Sequence, residues 1–150
     1  MPSRREFLVA SAALLASRRL AAAPSTAPSV VTVYKDASCG CCNEWIKHLS
    51  KNGFVVTAHD VAQVDDVKRT MLVPDKLWSC HTAVVDRYVI EGHVPAKDIK
   101  KVLAEKPKIQ GLAAPGMPIG APGMEQGSRK DHYDVVAFTR DGQSRVYSRY

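Results

Sequence analysis

The chain has 150 residues and a net charge of +6, from 21 Lys and Arg against 15 Asp and Glu. Arg4, Arg5, Arg18 and Arg19 stand against Glu6 alone in residues 1–23, so +3 of that excess sits in the N-terminal segment. What remains is scattered, with no basic stripe interleaved with aromatics, which excludes a nucleic-acid-binding surface of the usual kind.

The N-terminus has the layout of an export signal. Arg4 and Arg5 precede a ten-residue apolar run, Phe7 to Ala16. A membrane-spanning helix needs about 20 apolar residues, whereas this run has the length of a signal-peptide apolar region with small residues behind it. Ser3-Arg4-Arg5-Glu6-Phe7-Leu8 resembles the twin-arginine signal S-R-R-x-F-L, a receptor-read address rather than an anchor. The resemblance implies export of a folded protein to the periplasm. Residues 1–25 are then removed, which leaves 26–150 as one domain with no membrane anchor.

Val30 to Tyr34 is short, apolar and β-branched and reads as a buried strand. Lys35 to Gly40 turns out of it. Cys42, Trp45, Ile46 and Leu49 then fall at i, i+3, i+4 and i+7, one face of a helix that stops at Asn52-Gly53. Phe54 to Ala58 is a second strand. Val61 to Met71 reads as a helix starting near Asp65 and Asp66 and ending before Pro74. Thr82 to Val85 and Tyr88 to Glu91 make a hairpin over Asp86-Arg87, and Pro95 opens a helix that Pro107 closes.

This order predicts an α/β fold with a thioredoxin-like mixed sheet and packing helices. Lys108 to His132 reads as a long Gly/Pro/Met loop without regular structure. A C-terminal β-hairpin follows, from Tyr133 to Tyr150 around Asp141-Gly142.

The chemistry centres on cysteine. An exported chain with four cysteines suggests two structural disulfides, yet three of them crowd into Cys39-Gly40-Cys41-Cys42. Cys39-x-x-Cys42 lies between a strand and a helix start, where unpaired N–H groups and the helix dipole favour thiolate. A thiolate there suits either disulfide exchange or a soft metal, and the third thiol, Cys41, favours the metal. Parallel packing of the strands is expected to carry Cys80-His81 beside this cluster. Thioredoxin-like proteins keep a substrate-guiding proline at that place, and Ser79-Cys80-His81-Thr82 has none.

Several other residues stay open at this stage. Cys42 and Cys80 could be core residues, and His81 a structural histidine. His93 reads as an outer support or a substrate-side group, while His48 and His59 read as surface residues. Met117 and Met124 sit in a repeated Pro-Gly-Met. They either fill apolar gaps or offer thioethers, which suit Cu(I) far better than zinc.

Tyr34-Lys35, Cys39-Gly40-Cys41-Cys42, Ser79-Cys80-His81-Thr82, Glu91-Gly92-His93-Val94-Pro95, Pro115-Gly116-Met117-Pro118 and Pro122-Gly123-Met124-Glu125 together resemble a bacterial family of predicted metal-binding proteins, domain of unknown function 411. The resemblance implies an exported protein of a kind often encoded near copper-handling systems. The site expected is Cys39, Cys41, Cys42, Cys80, His81 and Met117, holding copper as Cu(I), with zinc less favoured. A periplasmic copper-handling protein is the expected partner. The alternative is a thiol–disulfide oxidoreductase in which Cys39 attacks and Cys42 resolves.

Changing Arg4 and Arg5 to lysine is expected to strand the precursor in the cytoplasm, because a receptor reads the pair. Fractionation and immunoblotting check this, and normal periplasmic processing of the variant would refute the route.

Overall fold

A computed structural model describes residues 27–150, so the proposed signal segment lies outside the described residues. In chain order the elements are β1 (Val30–Lys35), α1 (Gly40–Lys51), β2 (Val55–Asp60), α2 (Val64–Thr70), a short 3-10 turn (Asp75–Leu77), β3 (His81–Val85), β4 (Tyr88–Gly92), α3 (Ala96–Glu105), β5 (Gly111–Ala114), β6 (Asp134–Phe138) and β7 (Ser144–Arg149). The strands form one seven-stranded sheet in the order β2-β1-β3-β4-β5-β6-β7. Its first four strands have the thioredoxin-like arrangement, with β1 parallel to β2 and β3 antiparallel to both β1 and β4.

That antiparallel pairing, in place of the parallel packing expected, is what carries Cys80 to the cysteine turn, because it sets the end of one strand beside the start of the other. The end of β1 meets the start of β3, with Lys35 opposite His81 and Tyr34 opposite Thr82. The segment just before β3 therefore lies beside the segment just after β1.

One expected loop contains a strand. Gly111-Leu112-Ala113-Ala114 forms β5, parallel to β4, and all four residues are buried. Four small or apolar residues carry too little periodicity to stand out in the sequence, and only the neighbouring strands select the extended form. β6 and β7 then continue the sheet.

Alternation along the strands divides the core between two faces. Val31, Val33, Ala83, Val85 and Ile90 face α1 and α3, which contribute Trp45, Leu49, Ile99 and Val102. The other face is smaller and gathers Val73, Leu77, Val89, Ala113 and Phe138. Each fully buried aliphatic side chain contributes about 1.5–3 kcal/mol over an exposed one, so the larger face dominates the packing. The C-terminus is tied back to α3, where Asp98 accepts hydrogen bonds from Ser148 Oγ at 2.7 Å and Tyr150 Oη at 2.6 Å. Among the described residues no helix is long and apolar enough to cross a membrane.

His48 departs from the expectation of a surface residue. Its Nε2 accepts the Ala96 N–H at 3.1 Å, which satisfies an unpaired donor at the start of α3 and ties that helix to α1. This requires an unprotonated Nε2, and partial burial pushes the His48 pKa below its ordinary 6.5. A histidine whose pKa is lowered in the fold stabilises it fully above the unfolded value and loses that contribution as pH falls below it. Urea denaturation should therefore show stability declining from about pH 7 toward pH 5. His48→Gln, which keeps an acceptor that does not titrate, should flatten part of that slope. An unchanged slope would show that His48 does not contribute.

Candidate metal centre

Three segments build the site. The turn after β1 and the first turn of α1 supply Cys39, Cys41 and Cys42. Cys39 precedes the helix and Cys42 lies on its buried face with Trp45 and Leu49. The segment entering β3 supplies Cys80 and His81, and the exit from β4 supplies His93.

Cys39 and Cys42 are joined in a disulfide, while Cys41 and Cys80 are free and half-buried. The sulfurs lie close together. Cys41 Sγ is 3.6 Å from Cys39 Sγ, and Cys80 Sγ is 3.6 Å from Cys42 Sγ and 3.9 Å from Cys41 Sγ. All four lie within 4.8 Å of one another. A second set, Cys80, His81 and His93, meets the same limit, so Cys80 belongs to both.

The histidines are buried and both lie against Cys80, their rings edge to face with centroids 5.1 Å apart. His81 Nδ1 is 3.2 Å and His93 Nε2 3.1 Å from the Cys80 sulfur. His93 Nδ1 lies 2.7 Å from the Pro122 carbonyl oxygen, which can only accept, so Nδ1 carries the hydrogen. The Nε2 lone pair of neutral His93 therefore faces Cys80. Burial holds the His93 pKa below its ordinary value, against the effect of the Pro122 carbonyl. It holds His81 well below 6.5, with His93 and Lys68 acting in the same direction.

Burial, followed by the charge and hydrogen bonding of Cys41, pushes the Cys80 thiol up to about 12. Its one proton can satisfy one imidazole only. His81 Nε2 is fully buried and has no hydrogen-bond partner. Four sulfurs and two imidazoles suit a soft cation, and the unsatisfied histidine adds to that fit.

Cys39, Cys41, Cys42, Cys80 and His81 therefore meet as expected. His93 joins them, and its setting in Glu91-Gly92-His93-Val94-Pro95 was the sequence signal for it. Gly92 has φ +68°, and a Cβ there would strike Ser79 Cβ at 2.5 Å and the Ala114 carbonyl oxygen at 2.8 Å. Only glycine can make this turn and let the chain bring His93 against Cys80. Met117 is placed differently, being exposed with its sulfur 3.8 Å from Ser79 Oγ at the rim. Trp45 is a further contributor. Its Nε1–H donates to the Val94 carbonyl at 2.9 Å, and its ring packs on His81 with centroids 4.4 Å apart.

The Gly/Pro/Met loop closes the site from above. Gly116 N–H donates to the Trp78 carbonyl at 3.1 Å, and Ser79 Oγ donates to the Gly116 carbonyl at 2.5 Å. Gly123, at φ +83°, lies so close to α1 that a Cβ would sit 2.6 Å from Trp45 N and 2.9 Å from the Cys41 carbonyl oxygen. This contact holds Pro122 where its carbonyl can orient His93.

The fold and this centre define a thioredoxin-like domain whose reactive-cysteine position has been widened into a cysteine–histidine cluster. A family model described as protein of unknown function, DUF411, matches residues 77–124, the stretch carrying Cys80, His81, His93 and both Pro-Gly-Met segments. Two solved structures titled copper resistance protein copG, forms 2 and 1, are each 52% identical. Each match covers 82% of this chain and 98% of the other, with TM-scores of 0.79 and 0.78 respectively. The chain belongs to the same family as these copper resistance proteins. No curated protein matches it.

Glycine substitutions in the loop test how tightly it is seated. Gly116 has φ +70° with open space around it, so Gly116→Ala should cost only the left-handed strain, about 1–2 kcal/mol. Gly123→Ala adds a backbone collision and should cost about 1–3 kcal/mol more. Equal losses in urea denaturation would show that the loop does not bear on α1.

Proposed function

We propose that the protein is a periplasmic soft-metal-binding protein that carries copper as Cu(I), for buffering, delivery or resistance. The observation that carries this reading is the convergence of Cys39, Cys41, Cys42, Cys80, His81 and His93 around one half-buried sulfur, that of Cys80. Thiolate-rich sites select Cu(I) among the metals available to a cell, and the copper resistance proteins of the same family support that choice. Zinc also accepts sulfur and imidazole and is the weaker candidate. Met117, exposed at the rim, is an outer soft donor in this reading.

With Cys39 and Cys42 joined, two of the four sulfurs are withdrawn, so reduced protein is the binding form. Metal must also displace the proton of Cys80, so loading releases protons and strengthens as pH rises. A copper-handling protein of the periplasm is the proposed partner. The export route belongs to the same proposal, because it would place the folded domain in that compartment.

A second reading, a thiol–disulfide oxidoreductase, is favoured by one observation. Cys39 is half-buried and Cys42 fully buried, as suits an attacking and a resolving thiol. Against it, Cys41 lies 3.6 Å from Cys39 and Cys80 lies 3.6 Å from Cys42, so each partner has a competitor.

Anaerobic titration of the reduced domain, with competing chelators, separates the readings. Cu(I) should bind far more tightly than Zn(II), and X-ray absorption should show sulfur-dominated coordination. Cys39→Ala with Cys42→Ala should nearly abolish tight binding, and Cys80→Ala should weaken it strongly. His93→Ala should cost about 10–100-fold, and Met117→Ala little. Coordination dominated by nitrogen and oxygen, or affinity unchanged in the double cysteine variant, would end the copper reading. Turnover of a disulfide substrate by metal-free protein would then favour the oxidoreductase.

A further inference from the structure

Beneath the site is an ion pair that water barely reaches. Lys68 Nζ lies 2.7 Å from Glu91 Oε1, with side-chain exposures of 2% and 0%. The same Oε1 accepts the Ser79 backbone N–H at 2.7 Å. Oε2 accepts Thr82 Oγ1 at 2.7 Å, and Lys68 Nζ also donates to Thr82 Oγ1 at 3.1 Å. Ser79 and Thr82 are the two ends of the tetrapeptide that holds Cys80 and His81 between them. One carboxylate therefore grips both ends of the segment that supplies the shared sulfur.

Stability alone is a poor reason for this arrangement. Removing two charges from water costs more than their attraction readily returns, and apolar residues of similar volume often serve a fold as well or better. Such a pair would seat α2 on the sheet. It could not accept a backbone N–H and a hydroxyl at two set points. The position is sensitive because Cys80 must stay 3.6 Å from Cys42 Sγ and 3.1 Å from His93 Nε2 at once.

We infer that Glu91, with Lys68 as its buried counterion and Thr82 as the second grip, is a positioning device that sets Cys80 in register with the helix-borne cysteines. Its metal consequence rests on the copper reading above, but its geometric consequence does not. Glu91 and Lys68 touch no metal in this scheme and act through Ser79 and Thr82.

Two readouts keep the inference apart from the copper reading. The first is Cu(I) affinity of the reduced domain, measured by chelator competition. The second needs no metal and uses a Cys39→Ala, Cys41→Ala background, in which Cys42 and Cys80 are the only cysteines. The effective concentration of the Cys42–Cys80 pair is read from disulfide closure in glutathione buffers. Lys68→Met with Glu91→Leu should remain folded, with a urea midpoint near or above that of the parent. Cu(I) affinity should fall about 10–100-fold, the range for lost outer support of a ligand. The Cys42–Cys80 effective concentration should fall by a similar factor.

Thr82 provides a milder comparison should the double variant not fold. Thr82→Ser keeps the hydroxyl and should behave as the parent, whereas Thr82→Val should lose in both readouts. A folded variant with an unchanged effective concentration overturns the inference, whatever copper does. A parent that binds no Cu(I) but whose thiol pairing depends on Glu91 or Thr82 leaves the positioning role standing and refutes the copper reading.

Discussion

The antiparallel pairing of β1 with β3 sets Lys35 opposite His81, and the centre depends on that register. The cysteine turn leaves the end of β1, while Cys80 and His81 enter at the start of β3. A slip of one residue would turn every side chain of β3 to the opposite face of the sheet. His81 would leave Trp45, and Thr82 would leave Glu91. Burial of Ala83 and Val85 against the larger core makes such a slip costly, so hydrophobic packing also holds the chemical register.

A chain of polar contacts refines what packing sets. The Pro122 carbonyl fixes which nitrogen of His93 faces Cys80, and Gly123 fixes where Pro122 lies. Ser79 connects two parts of the system, since its N–H meets Glu91 and its hydroxyl meets Gly116 in the loop. The loop is thus part of the centre even though Met117 remains at the rim. Burial, rather than opposite charge, dominates the electrostatics, keeping Cys80 protonated and the histidines neutral until something displaces the proton.

Comparison with an ordinary thioredoxin-like arrangement shows what has changed. The helix-start cysteines and the hairpin after them are retained, and a disulfide still joins Cys39 to Cys42. At the place of the substrate-guiding proline stand Cys80 and His81. Beyond α3 the sheet gains β5, β6 and β7, and the segment between β5 and β6 folds back over the cysteines. A face suited to passing substrate chains has become a covered cluster of donors, while Cys39 and Cys41 remain half-buried at its edge.

The thioredoxin-like order was legible in the residues, because strand and helix periods differ and the turn residues between them are strong signals. The sequence also pointed to Cys39, Cys41, Cys42 and Cys80 as one cluster, because three cysteines crowd one helix start, while it left Cys42 and Cys80 open as core residues and His81 as a structural histidine. The remaining features arise from contacts between distant segments. β5 exists because β4 and β6 offer it backbone partners, which four short residues do not announce. His93 came to lie against Cys80 because Gly92 turns the chain and Pro122 orients the ring. His48 became a helix-end acceptor because α3 begins against it. Lys68 gave no signal at all, for a lysine on a seven-residue helix looks solvent-exposed until Glu91 lies beneath it. Each of these roles is a distance between residues far apart in the chain, and no local pattern encodes such a distance.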